Sequence, residues 1–255
     1  MSIIREHKFR KKWGQNFLTD NNLLEKIIRT VAPNKEDSIL EIGPGGGALS
    51  RKIISLVKEM VAVEIDPLLV KYLNTLNELE KLKIIEGDIL KKKISKININ
   101  SPVRIIGNIP YNITSLIIFW LIEQRFYWKD AFIMMQKEVA DRIIANAGTK
   151  DYGRLTVVIG AYLNTECVFT VPPDVFIPKP KVNSAIICFT KKEIPLVDDN
   201  KYLEFKKIVA AAFNQRRKML RNSLKEYSIN PKIKNKIDFS RRPETLSISE
   251  FAELV

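Results

Sequence analysis

The sequence predicts an α/β protein: a mostly parallel sheet with helices on both faces, followed by a small all-α C-terminal domain. Three observations carry this. Short apolar runs alternate with segments whose apolar residues recur at helical spacing, the pattern of a sheet covered on both faces. Several of those runs end on a glycine, an acid or an amide, as strands do at the ligand-binding edge of an open α/β sheet. Beyond residue 190 the strand-like runs stop and helical stripes remain.

The elements follow in order. Ser38 to Ile42 is a buried strand ending in Gly43-Pro44-Gly45-Gly46-Gly47, and Ala48 to Val57 is a helix with Leu49, Ile53, Ile54 and Val57 on one side. Met60 to Ile65 is the second strand, closed by Asp66-Pro67; Leu68 to Leu79 is a helix carrying Leu69, Tyr72, Leu73 and Leu76. Lys83 to Ile85 is the third strand, before Glu86-Gly87-Asp88. Val103 to Gly107 is the fourth, before Asn108-Ile109-Pro110-Tyr111 and a helix beginning near Ile113. Ala131 to Met135 is the fifth, and Gln136 to Asn146 a helix. Leu155 to Leu163 and Ser184 to Phe189 read as two more strands around a proline-rich loop from Val171 to Pro180. Lys191 to Lys201 is a polar linker. After it Tyr202, Phe205, Ile208, Val209, Ala212 and Phe213 form a helical stripe, and short helices are expected near Lys232–Lys236 and Ile248–Phe251. The expected division is a larger domain over residues 1–190 and a helical one over 191–255.

Lys and Arg number 42 against 29 Asp and Glu, a formal net charge of +13 that suggests a polyanionic partner. The cations cluster: Arg5, Lys8, Arg10, Lys11 and Lys12 near the start, and Arg216, Arg217, Lys218 and Arg221 within Asn214–Asn222. Two such blocks, with Glu6 the one acid within them, favour phosphate contact over a solvated face. The first eight residues are charged and no window approaches the ~18 apolar residues of a membrane span, so neither a secretory leader nor a membrane anchor is expected. Cys167, Cys188 and the single histidine, His7, supply neither a zinc set nor a disulfide framework, which points to the cytoplasm and to chemistry without a metal.

Four strand ends carry chemistry. The glycine loop lets a ligand approach the backbone closely. Glu64, 21 residues after Gly43, stands where an acid accepts ribose hydroxyls. Asp88 is placed to receive an adenine amine. This spacing alone does not distinguish NAD from S-adenosyl-L-methionine, although the loop is G-x-G-x-G and Pro44 removes an amide that a pyrophosphate would use. At the fourth strand end, Asn-Ile-Pro-Tyr is in isolation an ordinary turn. Beside a nucleoside site it becomes a clamp: the Asn108 side-chain oxygen and the Pro110 carbonyl accept both hydrogens of an exocyclic amine and free its lone pair from the ring. Tyr111 can stack on the base, and Phe176 is the candidate for its other face.

At these residues the chain resembles the small-subunit ribosomal RNA adenine dimethyltransferase family. The matching pieces run in order from Lys12–Leu18 through Glu41–Gly47, Val63–Asp66, Glu86–Asp88, Gly107–Tyr111, Gln136–Arg142, Tyr152–Leu155 and Phe176–Val182 to Ala212–Lys218, nearly the whole chain. Trp13 and Ser50 stand where the family pattern often has Phe or His, and Thr. The resemblance implies a Rossmann-like S-adenosyl-L-methionine-dependent methyltransferase, monomeric, with a basic N-terminal segment on its catalytic domain and an RNA-binding helical domain. It implies that Asn16 and Leu18 close over the cofactor, Gly43 contacts it, Glu64 holds its ribose and Asp88 its adenine. Asn108 would lie between cofactor and target amine, with Tyr111 and Phe176 as the stacking pair. The implied substrate is two adjacent adenosines in the 3′-terminal hairpin of 16S rRNA, each methylated twice on N6 within a pre-assembled small subunit. The nearest rival is a large-subunit rRNA adenine methyltransferase of the macrolide-resistance type, which shares the clamp; the Phe213–Arg221 block favours the small-subunit family. A non-catalytic RNA-binding factor and a NAD dehydrogenase fit the intact motifs less well.

Overall fold

A computed structural model describes residues 16–255; the first basic cluster, with His7 and Trp13, lies outside the described residues. The chain divides into two compact units. The first holds the described residues to Lys137 and Glu166–Phe189; the second holds Glu138–Thr165 and Thr190–Val255. The stretch 138–165, which the sequence suggests belongs with residues 1–190, thus groups with the C-terminal helices.

The first unit opens with β1 (Phe17–Leu18) and α1 (Asn21–Val31). The Asp20 side chain caps α1 by accepting from Leu23 N at 2.7 Å, and Leu23, Leu24, Ile27 and Val31 form its buried face. Then come β2 (Ser38–Ile42), α2 (Ala48–Ile53), β3 (Glu59–Glu64), α3 (Pro67–Leu73), β4 (Lys83–Glu86), β5 (Val103–Asn108), α4 (Thr114–Glu123) and β6 (Trp128–Gln136). The chain continues through α5 (Lys137–Ile143), α6 (Arg154–Gly160), β7 (Leu163–Val171), β8 (Phe176–Ile177) and β9 (Ser184–Lys191). The last helices are α7 (Tyr202–Asn214), α8 (Leu220–Ser223), α9 (Pro231–Lys234) and α10 (Ile248–Ala252).

Seven strands pair in the order β4-β3-β2-β5-β6-β9-β7. The pairs β3/β4, β2/β3, β2/β5 and β5/β6 are parallel. The chain winds outward from β2 to β4, then returns to the other side of β2 with β5. The switch point therefore lies between β2 and β5. β1 pairs antiparallel with β8, Leu18 opposite Phe176.

The helices expected over 48–57 and 136–146 end early, at Ile53 and Ile143, and two further elements differ more. The helix expected to run to Leu79 ends at Leu73, because Thr75 Oγ1 donates to Tyr72 O at 2.7 Å and so competes with the helical ladder; a short 3-10 turn, Asn77–Leu79, then buries Leu79. The strand expected over 155–163 is instead α6, and the strand begins only at Leu163. Thr156, Val157, Val158 and Ile159 are all buried, so no alternation betrays the period. The helix start is set locally, with Gly153 N donating to Thr156 Oγ1 at 3.1 Å. Within the second unit α6 packs so closely that a Cβ on Gly160 would stand 2.5 Å from Ile248 Cδ1. Tyr152, Phe213 and Phe251 continue that core, with ring centroids 6.1 and 5.5 Å apart.

The sheet of the first unit is tied at its amino end by Arg104, which is 8% exposed. Its Nε donates to Asp130 on β6 at 2.9 Å, Nη1 to Asp37 before β2 at 2.8 Å, and Nη2 to the Val31 carbonyl at the end of α1 at 2.7 Å. Burial pushes the Asp37 carboxyl up, but the guanidinium and the Asn34 N–H outweigh it and hold the group below its usual range. Arg104→Ala leaves two carboxylates unpaired, a change that costs roughly 3–5 kcal/mol. We expect a lower urea midpoint with an unchanged slope. The ionic contribution is complete above the ordinary carboxylate range and is lost as pH falls through the lowered Asp37 value, so the cost should shrink in acid. A cost independent of pH would show that packing, not charge, holds this corner.

Candidate active site

The carboxyl ends of β2, β3, β4 and β5 open on one cleft. β2 contributes Glu41, Ile42 and the glycine loop, β3 contributes Val63 to Ile65, β4 contributes Gly87 and Asp88, and β5 contributes Asn108 to Pro110. Asn16, Phe17 and Leu18 form a further wall. Ile42 pairs with Gly107 in register, so the glycine loop and Asn108 leave adjacent strands side by side at the switch point.

The loop is shaped by backbone conformations that favour glycine. Gly43 has φ +68°, its N–H donates to Val63 O at 2.9 Å, and a Cβ there would meet nothing within 4 Å, so the cleft side of the loop is open to a ligand. Gly45 has φ +57°, and a Cβ on it would stand 3.1 Å from the Phe17 ring. Phe17, next to the expected Asn16 and Leu18, is thus seated on the loop. Nothing but its place between those two residues signals this role in the sequence.

Two buried carboxyls lie under the loop. Glu64 is 3% exposed and accepts from Gly45 N at 3.1 Å and Asp66 N at 2.9 Å. Burial pushes its carboxyl up against the pull of those N–H groups. Glu41, unexpected from the sequence, is 2% exposed and accepts from Ser50 Oγ at 2.5 Å. Burial, opposed by the Ser50 bond and reinforced by Glu64, pushes Glu41 up to about 7. A signal for it does exist in the sequence: it lies near the end of a buried strand, just ahead of the glycine loop. Neither acid pairs with a cation among the described residues. Asp88 uses Oδ1 to cap the following turn, accepting from Leu90 N at 3.0 Å.

At the end of β5, Asn108 Nδ2 donates to the Asn16 carbonyl at 2.8 Å. That bond turns the amide so that Oδ1 remains available as an acceptor. The Pro110 carbonyl accepts from Ile113 N at 3.2 Å and keeps a second lone pair. Tyr111 begins a 3-10 turn, Tyr111–Ile113, and its hydroxyl shares a hydrogen bond of 2.7 Å with Ser184 Oγ. Burial raises its phenol, opposed by that bond.

The structure therefore brings Asn16, Leu18, Gly43, Glu64, Asp88, Asn108 and Pro110 to one cleft. Tyr111 follows directly but does not line it. Phe176 is 2% exposed, packed in the core with Leu18, Val171 and Ile186. Among the described residues no cluster of His, Cys, Asp and Glu could hold a metal ion.

The raised Glu41 carboxyl makes a stability prediction. A buried carboxyl with a raised value keeps its proton when the unfolded chain has lost it, so the native state loses stability as pH rises from about 4.5 to about 7. Glu41→Gln keeps an acceptor for Ser50 and removes the titration. Its melting temperature should match wild type near pH 4 and exceed it at pH 8. A gap that does not change with pH would mean Glu41 does not titrate in this range.

Residues 6–254 match the family model described as ribosomal RNA adenine dimethylase. The chain is 40% identical over 271 residues to the ribosomal RNA small subunit methyltransferase A of Streptococcus thermophilus (strain ATCC BAA-491 / LMD-9), covering 99% of this chain and 93% of that protein. It is 44% identical over 245 residues to the protein of the same name from Chlorobium phaeobacteroides (strain DSM 266 / SMG 266 / 2430), covering 96% and 89%. Among solved structures, a dimethyladenosine transferase from Plasmodium falciparum superposes with a TM-score of 0.80 at 27% identity, covering 93% of this chain and 95% of that one. The 23S rRNA methyltransferase ErmE superposes with a TM-score of 0.70 at 26% identity, covering 94% and 98%. A Rossmann-like sheet with its glycine loop and Asn-Ile-Pro-Tyr at the switch point, together with a match along nearly the whole chain, makes this protein a member of the ribosomal RNA adenine dimethylase family.

Proposed function

We propose that this enzyme transfers methyl groups from S-adenosyl-L-methionine to the N6 amines of two adjacent adenosines in the 3′-terminal hairpin of 16S rRNA, twice on each, within a pre-assembled small subunit. The observation that carries the chemistry is the Asn108 amide, held by Asn16 with Oδ1 left to accept, beside the glycine loop.

The cleft fits the cofactor. Two buried acids without cationic partners favour a ligand bearing positive charge, and the open side of Gly43 admits close approach. In this reading Asn16 and Leu18 cover the cofactor, Gly43 lies against it, Glu64 accepts from its ribose and Asp88 from its adenine. When bound, it would supply an electrophilic methyl group through cleavage of its sulfur–methyl bond and leave as the neutral thioether. The chain's part is orientation and electrostatics: Asn108 Oδ1 and the free lone pair of the Pro110 carbonyl hold the target amine so that its lone pair is freed from the ring, and the nitrogen loses a proton to solvent as it gains the methyl. No metal takes part. Tyr111 stacks on the flipped base, and Phe176 joins it once its ring is uncovered; each such stack is worth roughly 1–3 kcal/mol.

The helical residues 191–255 take the RNA through Arg216, Arg217 and Arg221. Arg216 donates to Thr149 O at 3.1 Å in the second unit. Cys167 and Cys188 form no disulfide, which fits a reducing cytoplasm, and no helix of the described residues is long and apolar enough to cross a membrane; the reading takes the enzyme as a monomer. The likeness to ErmE keeps a large-subunit substrate as the second reading; the relatives at 40 and 44% identity, named for the small subunit, favour the first.

Asn108→Ala should abolish methyl transfer from labelled donor to unmethylated small subunits while subunit binding persists, with large-subunit RNA unlabelled throughout. Full activity of the variant would end the clamp mechanism, and label on large-subunit RNA would select the second reading. Replacing Arg216, Arg217 and Arg221 together with Gln should flatten the salt dependence of subunit binding, by about 1 in slope for each phosphate no longer neutralised. An unaltered slope would return them to a solvated face.

A further inference from the structure

From Ile89 to Ile122 the chain contains no acid, yet it carries Lys91, Lys92, Lys93 and Lys96 within six positions. This run is separate from both basic clusters at the ends of the chain. It is the crossover from β4 to β5 in the first unit, and it is anchored. Ile89, Ile94 and Ile97 are 5, 1 and 8% exposed. Two 3-10 turns, Ile89–Lys91 and Ile94–Lys96, shape it. Trp120 Nε1 donates to Lys92 O at 2.8 Å, and Ile94 N donates to Gln124 Oε1 at 3.0 Å. With the isoleucines turned in, Lys91, Lys93 and Lys96 are exposed and make no ion pair among the described residues. Lys92 differs: it is half-buried, its ammonium 3.2 Å from where a Cβ on Gly87 would stand.

The Gln124 bond has a second consequence. It brings the corner after α4 against the lysine turn, and that corner carries Phe126. Phe126 is 65% exposed, the most exposed aromatic among the described residues. The Arg125 guanidinium lies 4.4 Å from its ring centroid, while Arg125 itself is 8% exposed and donates to Ile122 O at 2.9 Å. An anchored arginine thus backs an open aromatic ring, two residues from the Gln124 side chain that holds the lysine turn at Ile94. Exposed Glu123 is the one acid at the corner.

We propose that Lys91, Lys93, Lys96 and Phe126 form a second RNA-docking surface, on the methyltransferase unit and distinct from the cleft. The lysines contact phosphates, and Phe126 stacks on one unpaired base. Cations beside an aromatic on a pre-ordered backbone are the combination that binds single-stranded nucleic acid, because phosphate is neutralised and every base has a stacking face. The inference rests on the rRNA substrate and adds where else that RNA is held.

The test uses the full chain and unmethylated small subunits, with binding measured over a salt series. The variants are Lys91→Gln/Lys93→Gln/Lys96→Gln and, separately, Phe126→Ala. These side chains are exposed, so both variants should keep the wild-type melting temperature and calorimetric affinity for S-adenosyl-L-methionine. The triple variant should lose affinity and lower the salt slope by about three. Phe126→Ala should lose about 5- to 150-fold in affinity with the slope unchanged. A triple variant with the wild-type slope, whatever its affinity, would overturn the phosphate contacts. Wild-type affinity in Phe126→Ala would overturn the stacking. A wild-type protein that neither binds nor methylates small subunits would overturn the functional reading, and this inference with it.

Discussion

One buried guanidinium sets the register on which the cleft depends. Arg104 reaches the end of α1, the residue before β2, and β6. Each parallel strand at the centre of the sheet is buried on both faces, so its apolar pattern alone does not distinguish one register from the next. A charged group with three fixed partners does. With Arg104 opposite Ile39 and Asp130, Gly107 falls opposite Ile42, and Asn108 leaves the sheet beside Gly43. A slip of one residue would turn Arg104 into the opposite face and carry Asn108 away from the loop. The ion pairs at the amino end of the sheet therefore govern geometry at its carboxyl end.

The cleft is built against its own electrostatics. Glu41 and Glu64 are both buried, and the nearby Glu64 adds to the cost of ionising Glu41, which is pushed up to about 7. Such a pair persists because N–H and O–H donors meet it: Gly45 and Asp66 on Glu64, Ser50 on Glu41. What the site lacks among its described residues is positive charge, which a ligand can bring. The wall from Asn16 to Leu18 joins both sides of the chemistry. Phe17 rests on Gly45, the Asn16 carbonyl turns the Asn108 amide, and Leu18 pairs with Phe176.

Most strands, the glycine loop and the acids at successive strand ends are legible in the sequence because each is a local pattern: an apolar run, then a turn residue, then a polar group. α6 is not, since Thr156-Val157-Val158-Ile159 is β-branched and wholly buried, and burial on every side erases the period that separates helix from strand. Its helical state follows from packing in the second unit, where Gly160 admits Ile248. Glu41 does not stand out because a strand's penultimate residue looks structural until the cleft above it is seen. Lys91 to Lys96 do not either, because a short charge run gives no sign of which side chains are anchored.

The sequence by itself determined the α/β class, the order of most strands along the chain, and the residue types at each strand end, all consequences of spacing and local turn chemistry. It also carried the family, through motifs spread over nearly its whole length. Tertiary structure alone decided which strand ends are neighbours, because strand order in a sheet is set by crossovers between distant segments. It decided the direction of the Asn108 amide, the enclosure of Phe176, and the meeting of Gln124 with the lysine turn. Each of those rests on a contact between residues far apart in the chain, and no local pattern encodes such a contact.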